Sequence, residues 1–257
     1  MSWWEVLLVV VVGVWAGGIN TVVGSGTLVT FPTLIALGVP PVTANVSNNI
    51  GLVAGGISGT AGYLPELKGA GRFVARLVPM SVLGAVTGAL LLLVLPEEAF
   101  ASVVPVLIAL GVLLVVTGPR IQRWARGHHD EDGRAPAWHL VALMVGVLVA
   151  GVYGGYFGAA QGVILMGLLS ALSSEPLQRL NGIKNVLGTV VNAVAALMFV
   201  LVSPELVDWS IAGLIAVGAL IGGVLGAKVG RRLPPNALRA VIVVIGIVGI
   251  VRMVFFG

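Results

Sequence analysis

The chain has 257 residues, of which 58% are hydrophobic and only 9% charged, and its mean hydropathy is +1.09. Soluble proteins carry about 25% charged residues, so this composition excludes a soluble globular class and points to an integral membrane protein. The net charge of +4 does not point to nucleic acid, because the basic residues sit between apolar runs and the aromatics form no stacking series.

The N-terminal run MSWWEVLLVVVVGVWAGG lacks the basic start of a secretory signal, so it is expected to be retained as a first helix over 3–19. Trp3 and Trp4 are its interfacial anchors. A glycine-rich turn, NTVVGSGT, follows at 20–27, and then a short apolar piece at 27–38. At about 1.5 Å per residue that piece cannot cross a hydrocarbon core of about 30 Å, so a broken or re-entrant helix is expected. Spans at 43–64, 74–95 and 100–117 come next. The most polar stretch, PRIQRWARGHHDEDGRAPAW at 119–138, reads as a solvated linker. His128, His129 and His139 lie in it or at its edge, and no metal site is expected. The absence of cysteine removes thiolate chemistry. Beyond the linker the order repeats: a helix at 138–155, a turn YGGYFGAAQG at 153–162, a short piece at 163–173, and spans at 180–202, 209–230 and 236–256.

A shift of 136 residues pairs Gly18 with Gly154, Gly26 with Gly162, Pro40 with Pro176, Asn45 with Asn181 and Asn49 with Asn185, with no gap. A shift of 138 pairs Gly84 with Gly222, Gly88 with Gly226 and Pro96 with Pro234. The reading is a first transmembrane repeat at 1–118, a cytoplasmic charged linker at 119–137 and a second repeat at 138–257. Basic residues mark three cytoplasmic stretches: Lys68, Arg72 and Arg76; Arg120, Arg123, Arg126 and Arg134; and Lys228, Arg231, Arg232 and Arg239. Glu97, Glu98, Glu205 and Asp208 mark outer turns. Both termini then fall outside the cytoplasm, and the halves run in opposite directions. The expected fold is all-α, with about ten membrane segments in a five-plus-five inverted repeat.

Within VTANVSNNIG, at 42–51, Asn45, Asn48 and Asn49 share one helix face. Asn181, Lys184, Asn185 and Asn192 do the same in the second half. An unpaired amide in hydrocarbon costs several kcal/mol, so these groups must face each other, a cavity or freed backbone. One reading is interhelical glue; the other is an amide-lined site. The turns before the short pieces would aim helix N-termini at an anion. Lys184, in an apolar span, is either an intramembrane cation for an anionic ligand or a side chain that snorkels to the interface beside Glu175. Arg179 is expected at the interface. Gly84, Gly88, Gly222 and Gly226 are expected to serve close helix packing.

All ten acidic residues fall at loops, turns or segment ends, which removes a buried proton relay and weakens an intramembrane hydrolase. A proton carried by the substrate, or sodium held by amides and carbonyls, remains as a coupling ion.

The stretch GGINTVVGSGTLVTFPTLIALGVPPVTANVSNNIG resembles the first-half signature of the sulfite exporter TauE/SafE family of membrane permeases. SVLGAVTGALLLLVLPEEAF and GALIGGVLGAKVGRRLPPNAL are similar to its glycine-rich span and leucine-proline turn. The resemblance implies transport of small sulfur-containing anions, such as sulfite or short organosulfonates, across the cytoplasmic membrane. The expectation is a permease rather than an enzyme, without a cofactor, embedded in the lipid bilayer and working by alternating access. Asn20, Thr21, Ser25, Thr27, Asn45, Asn48 and Asn49 would line one half of its site, and Tyr156, Gln161, Asn181, Lys184 and Asn185 the other. The rival readings are a channel-like passive anion uniporter and a membrane-bound enzyme or assembly subunit.

Overall fold

The computed structural model describes residues 1–126, 137–228, 243, 244 and 247, and among the described residues there is no strand. The helices are α1 (Trp3–Val22), α2 (Thr27–Ala36), α3 (Pro41–Ala61), α4 (Gly71–Val94), α5 (Glu97–Arg126), α6 (Ala137–Tyr156), α7 (Gln161–Leu172), α8 (Leu177–Val202) and α9 (Trp209–Lys228), with a single 3-10 turn at Pro204–Leu206. The expected last span at 236–256 lies outside the described residues, apart from 243, 244 and 247. So do His128, His129, Arg134, Arg231, Arg232 and Arg239. The chain from 119 to 126, expected as loop, is instead the end of α5.

Six described helices are long and apolar enough to cross a membrane: α1, α4, α5 over Glu98–Thr117, α6, α8 and α9. The protein is a multi-pass, all-helical membrane protein. Exposed apolar side chains form outward stripes, as at Val141, Val145 and Val149 of α6, the i, i+4, i+8 pattern of one helix face. At 21 residues α3 is as long as these helices but more polar. It can be polar because α1, α8 and α9 pack around it. The short helices α2 and α7, of 10 and 12 residues, reach about 15 and 18 Å.

Two matching breaks precede the short helices. At the end of α1, Val23 and Gly24 N–H both donate to Ile19 O, at 2.7 and 3.0 Å. At the end of α6, Phe157 and Gly158 N–H both donate to Tyr153 O, at 2.9 and 3.1 Å. Gly24 and Gly158 take φ +90° and +78°, a left-handed turn that glycine enters without a Cβ penalty. These breaks stand 134 residues apart, so the ungapped shift of 136 does not hold here. Helix α7 is two residues longer than α2 and restores the register. Pro40 and Pro176, 136 apart, cap α3 and α8 with nearly the same dihedrals (φ −55°, ψ 142° and φ −59°, ψ 145°).

Small residues set the closest helix contacts. Val14 O lies against Gly222 where α1 meets α9, and Leu148 O lies against Gly84 where α6 meets α4. Likewise Gly17 faces the Ala219 backbone, and Gly151 faces Ser81 O. Helix α4 also packs on α8, and α9 on α3. The buried apolar side chains form two clusters. One includes Ile19, Phe31, Val46, Phe100, Ile108, Phe157 and Phe199. The other includes Leu77, Leu143, Val147, Leu165, Leu169 and Leu187.

Candidate functional site

The two helix breaks meet. Gly162 N–H, in the first turn of α7, donates to Gly24 O at 3.0 Å. A Cβ on either glycine would collide with the other's backbone. Neither α2 nor α7 has a side-chain cap; the residues before them are Gly26 in an αR and Ala160 in an αL conformation. Both short helices therefore begin beside one crossing point without side-chain caps, and first-turn N–H groups bond backbone carbonyls such as Ser25 O, Gly26 O, Gly24 O and Ala160 O.

A small cavity of about 20 Å³ opens beside this crossing. The end of α1 contributes Asn20 and Thr21, and the two turns contribute Gly24, Thr27, Gly158, Gln161 and Gly162. Helix α3 adds Leu52 and Gly56. Helix α8 adds Lys184, Asn185, Gly188, Thr189 and Asn192. Six of the residues expected at a site are thus brought together: Asn20, Thr21, Thr27, Gln161, Lys184 and Asn185.

Lys184 is only 2% exposed. Its Nζ donates to Asn20 O at 3.1 Å and to Thr21 O at 2.9 Å, the last carbonyls of α1. The negative end of a helix dipole favours a cation at this place. Lys184 does not snorkel to Glu175. That carboxylate pairs with Arg179 at 2.7 Å, and the half-buried Arg179 also donates to Glu66 O and Lys68 O in the loop between α3 and α4. An ammonium has three N–H donors, so two bonds leave Lys184 one more for a ligand. Beside it, Gln161 Nε2 and Asn185 Nδ2 are buried with no hydrogen-bond partner. Buried donors without partners are rare and costly, so the cavity wall is rich in unused donors.

The other expected residues lie away from the cavity. Asn48 ties α3 to α2: its Nδ2 donates to Thr27 Oγ1 at 3.2 Å, and it accepts from Thr30 Oγ1. Asn45 Nδ2 donates to Tyr156 O, the last carbonyl of α6, at 2.9 Å. Asn181 Nδ2 donates to Tyr63 OH at 2.7 Å. Asn49 and Ser25 are buried outside the lining, each with an oxygen that finds no partner. Tyr156 packs edge-on to Phe100, which with Phe31 and Phe157 forms an aromatic cluster at centroid distances of 5.1–6.4 Å. On α3, then, Asn45 and Asn48 act as glue, and aromatics fill the space beside them. In the second half, the polar face of α8 lines a cavity.

Thr189 was not expected at the site, and Asn192, expected on the same polar face as Asn185, was not assigned to it. The signal was present, since both continue the face of Asn181 and Asn185 at helical spacing. The lining glycines carried no such signal, because they act by leaving room: a Cβ at Gly56 would meet the Thr189 side chain. Among the described residues no three His, Asp or Glu side chains converge on a point.

Comparison with known proteins identifies the family of the chain. A protein of Haemophilus influenzae named "Probable membrane transporter protein" is 26% identical over 248 residues, covering 95% of this chain and 92% of the relative. "Probable membrane transporter protein YfcA" of Escherichia coli is 25% identical over 248 residues, covering 93% and 86%. "Probable membrane transporter protein ORF9" of Sinorhizobium sp is 23% identical over 240 residues, covering 93% and 88%. No solved structure matches. The family model described as "Sulfite exporter TauE/SafE" matches residues 9–253, from within α1 to beyond α9, and the chain therefore belongs to the sulfite exporter TauE/SafE family of membrane transporters.

Proposed function

We propose that this transporter moves a small sulfur oxyanion, sulfite or a short organosulfonate, across the cell membrane by alternating access at a site between inverted repeats. One observation carries the reading. A buried ammonium and two unpartnered amide donors, on Lys184, Gln161 and Asn185, share one cavity with the starts of both half-helices. The unpartnered amide donors favour an anion, and the starts of α2 and α7 bring the positive ends of two helix dipoles close by. The same geometry suits half-helices that point at an anionic group near the bilayer midplane. Asn20, Thr21, Thr27, Gln161, Lys184 and Asn185 would face the anion, joined by Thr189 and Asn192. Asn45, Asn48 and Asn181 would hold the helices that frame it.

The inverted-repeat reading draws support from the matched contacts of α1 with α9 and α6 with α4. On the charge rule, Lys68, Arg72 and Arg76 face the cytoplasm and both termini face outward. Passive uniport is the second reading, favoured because no Asp or Glu is buried among the described residues.

The test is thermal unfolding of the purified protein with sulfite, thiosulfate, sulfate, taurine and sulfoacetate, followed by flux in proteoliposomes with and without a pH gradient. A bound anion raises the melting temperature through linkage. Lys184→Met, which removes the charge and keeps the bulk, is expected to abolish both the shift and the flux. An unchanged shift in that variant sinks the reading. Flux indifferent to the gradient selects uniport.

A further inference from the structure

We infer that the terminal carbonyls of α1 form a monovalent-cation seat, and that Lys184 fills it with a tethered ammonium so that no alkali cation enters the site. The seat stands on geometry alone; only its use against a bound anion rests on the proposed function.

Asn20 O and Thr21 O both bond to Nζ, and they belong to the last turn of a 20-residue helix. That turn carries no basic residue of its own. Among the described residues, the cation bonded there comes from α8, more than 160 residues along the chain. Among the described residues Glu175 is paired with Arg179, and the charge on Lys184 rests on helix-end carbonyls rather than on a carboxylate. In transporters with broken helices, such C-terminal carbonyls are where sodium is coordinated. Here the lysine head occupies that place.

The corresponding helix end on the other side is built differently. Tyr156 O, closing α6, accepts from the neutral amide of Asn45. Asn48, 136 residues before Lys184, bonds to threonine hydroxyls instead of a helix end. Of these two helix ends, the α1 end is the one bonded to a charged group among the described residues. Oxygen-bearing side chains stand in the same cavity, on Asn185, Thr189 and Asn192, and could complete a shell around a small free cation. Removing the ammonium would leave two buried carbonyls without their partner, which is costly. A sodium or methylammonium ion entering the vacated space would restore it.

The experiment compares thermal unfolding of full-length wild type, Lys184→Ala and Lys184→Met in sodium, potassium, methylammonium and N-methyl-D-glucamine chloride at equal ionic strength. Wild type is expected to melt at one temperature in all four. Lys184→Ala should melt several degrees higher in sodium or methylammonium than in N-methyl-D-glucamine. Lys184→Met, whose side chain fills the space, should show no such difference. A wild type stabilised by sodium over N-methyl-D-glucamine overturns the inference, as does a Lys184→Ala protein indifferent to every cation. If Lys184→Ala does not fold, the wild-type comparison still decides, extended to the sulfite-induced shift in sodium and in sodium-free buffer. Equal shifts support the tethered cation, and a sodium requirement overturns it. Absence of any sulfite shift with cation-independent wild-type melting overturns the anion reading alone.

Discussion

Gly24 concentrates several demands on one residue. Its φ of +90° is left-handed, its carbonyl accepts from Gly162, and its Cα rests against the Gly162 backbone. An alanine would pay about 1–2 kcal/mol for the dihedral and would also push the two turns apart. Gly24→Ala is expected to lower the melting temperature and to abolish ligand-induced stabilisation. A variant that melts and binds like wild type would show that the turns do not need this contact. Asn48→Ala removes the bonds to Thr27 and Thr30 and should cost about 1–2 kcal/mol without removing cavity donors, so its stability falls while ligand stabilisation persists. The sequence made the buried amides and Lys184 visible as anomalies, since polar groups in apolar runs demand partners. It did not reveal which partners they find. Asn45 and Asn48 look as site-like as Asn185 by spacing alone, and only the packing of α3 against the end of α6 and against α2 separates glue from lining.

Among the elements, the helices long enough to span were legible from hydropathy, and the two short ones from length. The ends of α5 and the register of the breaks were not. Helix α5 runs on through charged residues because a helix leaving lipid has no need to stop. The two-residue offset between the breaks is hidden because glycine is abundant on both sides and aligns at either shift. The small-residue contacts were expected, and they occur: Gly88 sits against Val152 O and the Tyr156 backbone, and Gly222 against Val14 O. Gly88→Leu and Gly222→Leu must separate paired backbones, and each is expected to abolish the folded, monodisperse protein in size-exclusion profiles. Gly188→Ala, where a Cβ meets nothing within contact range, is the control and should elute as wild type.

For the molecule as a whole, what the sequence divides into halves the fold interleaves. Helix α4 lies on α6 and α8, and α9 lies on α1 and α3. Each half thus lends its fourth helix to the other, and neither owns a complete core. Hydropathy cannot show this, because a helix facing a foreign partner and one facing its own neighbours have the same composition. The arrangement has a practical outcome: the polypeptide can be cut between 127 and 136 and the fragments supplied as separate genes. Residues 1–126 and 137–257 made together should copurify and regain the intact protein's ligand-dependent melting, whereas each made alone should be cleared by cellular proteases. Recovery of a stable lone fragment would contradict it. Mutual dependence of this kind also means that biogenesis cannot finish on the first half, whose α4 must wait, its glycine face uncovered, until the ribosome has delivered α6 and α8.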